Sequence, residues 1–213
     1  KMIGNFTGLM KLASAAAPIY NFIFNTPSLR RFSNRLTGFH PNRTMPEVHG
    51  TTLRGWFKKN ESKIQPGSTI KGVVNLFCDE FSNYNDVEIG KKAIRLLTSL
   101  GYKVQLAQHM ESGRSSLSKG FIKKAQQIAI RNVELLQQVV SADAPLIGLE
   151  PSAILGFRDE YPDLVGRELA HAAHEIAKHC FLFEEWLARE IDKGYITADQ
   201  FTEERRRVLM HGH

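Results

Sequence analysis

The chain has 213 residues, of which 42% are hydrophobic and 23% charged, and its net charge is +6. This length predicts one domain with an appendage or two small domains, and the hydrophobic content suffices for a buried core. Two cysteines exclude a disulfide-stapled fold. No stretch reaches the roughly 20 apolar residues that a membrane-spanning helix requires. The chain has an excess of basic residues but no recognised nucleic-acid-binding motif, so we expect no nucleic-acid partner.

Residues 1–67 differ in composition from the rest of the chain and are predicted to form a helical linker or wrapping segment. The stretch FTGLMKLASAAAPIYNFIF is apolar and helix-prone, and the next helix is predicted to start with Thr26 as N-cap and Pro27 as first residue. A short helix is predicted near Leu53 to Asn60. Two roles stay open for the apolar start: packing against a neighbouring domain, or lying in a membrane interface.

Residues 68–213 alternate between strand and helix patterns. TIKGVVNLFCDEF, YKVQLAQ and APLIGLEP predict buried strands, and ERRRVLMHGH predicts the start of a fourth. Helices are predicted over NDVEIGKKAIRLLTSLG, capped by Asn85 or Asp86, and over SLSKGFIKKAQQIAIRNVELLQQVV. A further helical stretch follows the third strand, with breaks near Gly166 and Phe183. The fold class is therefore α/β, a parallel sheet with flanking helices and right-handed crossovers.

The carboxyl ends of parallel strands meet at one edge of a sheet, so the loops after the three strands are expected to gather there. These loops carry Cys78-Asp79-Glu80 with Asn83-Tyr84-Asn85, then Glu111-Ser112-Gly113-Arg114, then Glu150-Pro151-Ser152-Ala153. His211 and His213 would join them from the fourth strand. This convergence follows from topology alone and requires no motif.

The three acidic residues of these loops, Glu80, Glu111 and Glu150, are candidates for a carboxylate cluster. Three converging carboxylates would repel one another, raise a pKa, or coordinate a hard cation. Alternatively, Arg114 and Arg158 neutralise them by ion pairing, or bind an anionic group.

Other catalytic patterns are weak. His174 and His179 are five residues apart, which turns them roughly 140° away from each other on a helix and argues against a zinc metalloprotease site. Ser112 follows no nucleophile-elbow pattern. Cys78 and Cys180 lie in apolar contexts and are predicted to be buried free thiols in a reducing compartment, which indicates a cytoplasmic location.

Around these loops the sequence resembles the cysteine-rich CCG domain family. The stretches FSNYND, SGRSSLSKGFIKKA, EPSAILGFRDEYPDL and VLMHGH carry the resemblance, which covers roughly residues 70–213. The family occurs in heterodisulfide reductase and in the iron–sulfur subunits of glycolate oxidase, anaerobic glycerol-3-phosphate dehydrogenase and lactate-utilisation systems. It also forms the C-terminal region of fused FAD-linked oxidoreductases that oxidise D-2-hydroxy acids.

The resemblance implies cluster-binding cysteines at positions that this chain fills mostly with other residues. The vestigial ligand positions are Cys78, Glu80, Glu111, Ser112, Glu150 and Ala153. Iron–sulfur clusters rest chiefly on cysteine thiolates, so this donor set is not expected to hold one. Candidates for the loop edge or for anion binding are Asn83, Tyr84, Gly113, Arg114, Ser152, Arg158, His211 and His213.

The resemblance thus implies a fragment of an FAD- and iron–sulfur-dependent D-2-hydroxy-acid dehydrogenase, cut at the start of a second CCG repeat. The fragment itself would hold no cofactor, and the expected FAD and 4Fe-4S cluster belong to the full-length parent. Its expected partners are the second repeat, the ferredoxin-like and FAD domains, and an electron acceptor, with peripheral membrane contact left open. The alternatives are a stand-alone docking module for an electron-transfer partner, and a metal- or small-acid-binding domain.

Overall fold

The computed structural model describes residues 5–64, 66–67, 69–205 and 207–209. Along this part of the chain the helices and strands are α1 (Phe6–Ala15), α2 (Ala17–Asn25), α3 (Pro27–Thr37), α4 (Leu53–Asn60), β1 (Gly72–Phe77), α5 (Glu80–Tyr84), α6 (Val87–Ser99), β2 (Tyr102–Gln105), α7 (Arg114–Leu117), α8 (Ile122–Leu136), β3 (Leu146–Gly148), α9 (Pro151–Asp159), α10 (Tyr161–Leu164), α11 (Arg167–Lys178), β4 (Cys180–Leu182) and α12 (Phe183–Asp192). Within these residues no helix is long and apolar enough to cross a bilayer.

The four strands form a parallel sheet in the order β2-β1-β3-β4. Side chains alternate between the two faces of the sheet, as they must in a strand. On β1, Val74 and Leu76 join the core formed with α4, α6 and α12, while Phe77 joins the core formed with α8, α9, α10 and α11. The predicted α/β class with a parallel sheet and flanking helices is confirmed.

The fourth strand is not where the sequence pattern predicted it. β4 is Cys180–Leu182 and pairs with β3, with Leu146 opposite Cys180, whereas the described residues of ERRRVLMHGH form no strand. A three-residue apolar strand between two helices is too short for its period to differ from that of a buried helix turn. His211 and His213 lie outside the described residues.

Two helix boundaries also differ from those predicted. Gly120 has φ +73° and separates α7 from α8, so the long predicted helix is two helices. Helix α9 starts at Pro151, which places Ser152 and Ala153 in its first turn rather than in a loop. The predicted helix from Leu53 to Asn60 is confirmed as α4, whose Leu53 is fully buried beside the sheet.

Residues 47–49 tie α1 and α2 to the α/β body. The Ser14 hydroxyl donates to the His49 carbonyl at 2.6 Å, and the Asn21 amide bonds both backbone polar groups of Val48 at 2.9 and 3.0 Å. On the other side, the His49 N–H donates to the Tyr84 carbonyl at 2.8 Å. The N-terminal helices are therefore held through a short extended segment that α5 also contacts.

The turn from β3 into α9 requires glycine at position 148. A Cβ on Gly148 would overlap the side chain of Ile154, a fully buried residue of α9. We expect Gly148→Ala to lower the free energy of unfolding by about 1–3 kcal/mol, because a packed core does not yield to an added methyl group. Gly67→Ala is the control, since nothing lies within 4 Å of its Cβ position. Urea unfolding measures both, and equal stability of the two variants would contradict this packing.

Candidate functional site

Three of the predicted loops meet at the carboxyl edge of the sheet around one small cavity. The cavity has a volume of about 330 Å³, and its walls come from α1, α5, α7 and α9. Its lining residues include Glu80, Ser112, Arg114, Glu150, Ser152 and Ala153. Residues that follow β1, β2 and β3 therefore lie side by side, as the parallel topology predicts.

The central contact of this cavity joins Glu80 to Ser112. The Glu80 carboxylate accepts from the Ser112 N–H at 3.0 Å and from the Ser112 hydroxyl at 2.7 Å. Both residues are almost fully buried, with relative exposures of 4% and 3%. Hydrogen bonds to a buried carboxylate are stronger than those between neutral groups. The first turn of α5 is thereby fastened to the loop before α7.

Asp79 fixes the direction of this first turn. It is the N-cap of α5, and its carboxylate accepts from the N–H groups of Phe81 and Ser82 and from the Ser82 hydroxyl. Burial raises the pKa of Asp79 to about 6, although these hydrogen bonds oppose the rise. The cap directs Glu80 inward, toward Ser112.

A second buried network holds the same loop from the opposite side. The Tyr161 hydroxyl donates to the Ser112 carbonyl at 3.0 Å and accepts from the Asn132 amide at 2.8 Å. Asn132 also donates to the Glu111 carbonyl and accepts from the Met110 N–H. Burial raises the pKa of Tyr161, so its hydroxyl stays protonated and can donate. The loop backbone is therefore fixed from Met110 to Ser112.

The three predicted acidic residues do not act as one carboxylate cluster. Glu111 forms an ion pair with Lys124 at 3.4 Å, and its side chain is absent from the cavity lining. Glu150 caps α9 by accepting from the Ser152 N–H at 3.3 Å. Of the three carboxylates, that of Glu80 is the one that bonds another predicted ligand position among the described residues. Each carboxylate therefore has a partner of its own, and the three do not form one site.

The two arginines pair with other glutamates than those predicted. Arg114 forms an ion pair with Glu160 at 2.5 Å, and Arg158 pairs with Glu185 at 2.7 Å. In the described part of the chain neither arginine forms an ion pair with Glu80, Glu111 or Glu150, because the arginines pair with Glu160, between α9 and α10, and with Glu185 on α12; binding of an anionic group stays a prediction. All four side chains are about a third or more exposed, so these pairs contribute little to stability.

Cys78 is not among the residues that line the cavity. The thiol is buried and unpaired by any disulfide, as predicted, and its sulfur lies 3.5 Å from the Asn83 amide oxygen. Burial raises the pKa of Cys78 to about 12, so the thiolate, which is the form that binds metal, is disfavoured. The same Asn83 oxygen accepts from the Arg54 N–H, which links α5 to α4.

Gly113 precedes α7 with φ +74°, a conformation that favours glycine. A Cβ at this position would approach the Ile128 side chain at 3.3 Å.

Within the described ranges, no group of three or more His, Cys, Asp or Glu side chains is placed to hold a metal ion.

Three residues of the site were not identified from the sequence: His109, Asn132 and Tyr161. The His109 ring packs on Phe77, with ring centroids 4.2 Å apart, and its Nε2 accepts from the Cys78 N–H at 3.1 Å. Asn132 is a fully buried polar residue on the apolar face of α8, which is the one signal that the sequence offered. Tyr161 lies in the stretch EPSAILGFRDEYPDL and carries no such signal.

Comparison with known proteins gives relatives but no matching family model and no matching solved structure. One relative is an anaerobic glycerol-3-phosphate dehydrogenase component of Escherichia coli K12, 29% identical over 191 residues, which covers 88% of this chain and 46% of the relative. Another is D-2-hydroxyglutarate dehydrogenase of the same strain, 23% identical over 187 residues, covering 85% of this chain and 18% of the relative. The chain thus spans less than half the length of either relative.

The buried His109 predicts a defined pH dependence. Burial, assisted by the nearby Arg54 charge, lowers the pKa of His109 to about 3, whereas the unfolded chain titrates near 6.5. The unfolded state therefore binds more protons below pH 6.5, and the stability due to neutral His109 is lost as the pH falls through that range. From pH 7 to 5, the stability advantage of the wild type over His109→Gln should shrink by about 2 kcal/mol.

Urea unfolding at each pH measures this difference, and the titration of Asp79 cancels because both proteins contain it. The control is Gln126→Ala at an exposed position of α8, which removes no titratable group, so its difference from wild type should not change with pH. A constant gap between wild type and His109→Gln would show that His109 is protonated alike in both states.

Proposed function

We propose that this chain is a non-catalytic CCG-type domain of a larger FAD- and iron–sulfur-dependent oxidoreductase. The similarity to two dehydrogenase components over 85–88% of the chain supports an oxidoreductase. The resemblance of the FSNYND, SGRSSLSKGFIKKA and EPSAILGFRDEYPDL stretches to CCG motifs supports the domain type. The boundaries 1–67 for a linker and 68–213 for the CCG-type domain are part of this proposal.

The observation that carries the proposal is the mutual hydrogen bonding of Glu80 and Ser112. Both occupy positions where the resemblance implies cluster ligands, yet each satisfies the other at 2.7 and 3.0 Å. The residues present do not fit an iron–sulfur cluster, which rests on thiolates. Cys78 is the one cysteine near these loops in the described chain, and its pKa of about 12 keeps it a thiol.

The role proposed for this domain is architectural. Hydrogen bonds between a carboxylate and a serine join the first turn of α5 to the loop before α7, so the sheet edge would keep its shape without a metal. This edge would form one wall of the cluster or electron-acceptor site in the parent enzyme, facing its second CCG repeat. The parent would oxidise a D-2-hydroxy acid such as lactate, glycolate or 2-hydroxyglutarate, in line with one relative's name.

The rival metal-binding function finds less support. It needs Glu80, Glu111, Glu150 and His211 to turn toward one ion. However, Glu111 pairs with Lys124, Glu150 caps its own helix, and His211 lies outside the described residues. A stand-alone docking module would present the same edge without a catalytic parent. Activity of the full-length protein separates that alternative from ours.

Anaerobic purification of the 213-residue chain, followed by iron and acid-labile sulfide analysis, tests the loss of the cluster ligands. We expect far less than one cluster per chain after reconstitution with iron and sulfide, because no thiolate set is present. The comparison variant replaces the cavity positions Glu80, Ser112, Glu150 and Ala153 with cysteine, and we expect it to take up iron. A stoichiometric cluster on the unaltered chain would contradict the proposal.

The oxidoreductase part of the proposal is tested on the full-length protein. Flavin and cluster absorbance should bleach when a D-2-hydroxy acid from a panel is added, with sn-glycerol 3-phosphate as the competing candidate substrate. A full-length protein that contains neither flavin nor cluster would contradict this part.

A further inference from the structure

Helices α1–α3 leave a set of apolar side chains exposed to solvent. On α3, Leu29, Phe32 and Leu36 follow one another at spacings of three and four residues, so they lie on one face of the helix. Their relative exposures are 37%, 63% and 73%. A water-soluble protein rarely exposes so many large apolar groups together unless the surface binds something.

The two preceding helices extend this apolar surface. Leu12, Ile19 and Phe22 have relative exposures of 72%, 65% and 66%. Between α1, α2 and the chain after α3 runs a groove of about 480 Å³ with almost wholly apolar walls, which include Leu9, Leu12, Ile19, Phe24, Phe39 and Met45. Each of the three helices is only 9–11 residues long, too short to span a bilayer.

The charge of the chain is concentrated in the same place. Residues 1–46 contain six lysines and arginines and no aspartate or glutamate, and Glu47 is the first acidic residue. This equals the whole net charge of +6, because the remaining 22 basic and 22 acidic residues balance. We call residues 5–46 the basic segment. Its Lys11, Arg31, Arg35 and Arg43 are exposed.

On α3 the cations flank the apolar face. At 3.6 residues per turn, Arg30, Arg31 and Arg35 lie roughly 90 to 130° from the centre of the Leu29–Phe32–Leu36 face. A helix that lies in a membrane interface has this arrangement, with apolar groups at the acyl boundary and arginines reaching the headgroups beside them.

We propose that the basic segment binds the surface of an anionic lipid bilayer, with the apolar face of α3 inserted among the headgroups. An anionic bilayer offers one sign of charge over its whole area, together with acyl chains that can receive the exposed apolar side chains. The absence of acidic residues over 46 positions therefore favours lipid over a protein partner.

Binding by this segment would orient the α/β body at the membrane. The segment is fastened to the body through the bonds of Ser14 and Asn21 to residues 48 and 49, and through the Asn85 amide, which donates to the Glu47 carbonyl at 2.7 Å. The inference is independent of the proposed function, because it uses neither the Glu80–Ser112 pair nor any catalytic property of the parent.

Vesicle co-sedimentation of the 213-residue chain tests the proposal. We expect binding to phosphatidylglycerol–phosphatidylcholine vesicles and little binding to pure phosphatidylcholine. Binding to the anionic vesicles should fall between about 0.1 M and about 1 M salt, where the Debye length drops from about 10 Å to about 3 Å.

Variants locate the binding surface. Arg31→Gln with Arg35→Gln should lower the partition coefficient by roughly 30-fold, since each basic residue near an anionic surface is worth about a factor of five. Phe32→Ser with Leu36→Ser should also weaken binding. The matched controls are Lys119→Gln with Lys123→Gln, and Ile89→Ser, all exposed positions outside the basic segment, and they should bind as the wild type does.

Far-UV circular dichroism verifies that each variant is folded. The proposal would be overturned if the chain bound neutral vesicles as well as anionic ones. It would also be overturned if the control variants lost as much binding as the variants of α3. The absence of binding to anionic vesicles at low salt would overturn it too, and the exposed face would then be assigned to an acidic protein partner.

Discussion

The carboxyl edge of the sheet depends on one buried interaction, the double hydrogen bond between the Glu80 carboxylate and Ser112. A carboxylate with 4% exposure and no hydrogen-bond partner would destabilise the folded state, so Glu80 requires a partner. Ser112 supplies both of its donors, the N–H and the hydroxyl. The shape of the loop before α7 and the entry into α5 are therefore set by the same pair.

The surrounding structure makes this pair possible. Tyr161 and Asn132 hold the backbone of the loop, and the Asp79 cap directs the first turn of α5. The hydrogen-bonded pair fastens α5 to the loop but cannot carry electrons, and the architectural role proposed above requires only the fastening.

Much of the fold followed from the sequence because long buried strands and amphipathic helices have distinct periods, as in β1, α4 and α6. Strand β4 could not be predicted from the sequence, because three apolar residues are too few to show a periodic pattern. It is a strand because it pairs with β3. The meeting of Glu80, Ser112 and Glu150 followed from parallel topology. The partners of the individual side chains could not be predicted from the sequence. Arg114 pairs with Glu160 and Arg158 pairs with Glu185, and these contacts depend on how the helices pack. The roles of Asn132 and Tyr161 likewise depend on helices that meet only in the folded chain.

A double-mutant cycle on Glu80→Gln and Ser112→Ala tests most directly whether this pair fastens the site. Urea unfolding of the wild type, both single variants and the double variant gives the coupling energy, which we expect to be about 1.5–3 kcal/mol for a buried hydrogen bond to a carboxylate. Glu150→Gln with Ser112→Ala is the reference pair, expected to be additive within about 0.5 kcal/mol because Glu150 bonds its own helix. A coupling near zero between Glu80 and Ser112 would contradict the account.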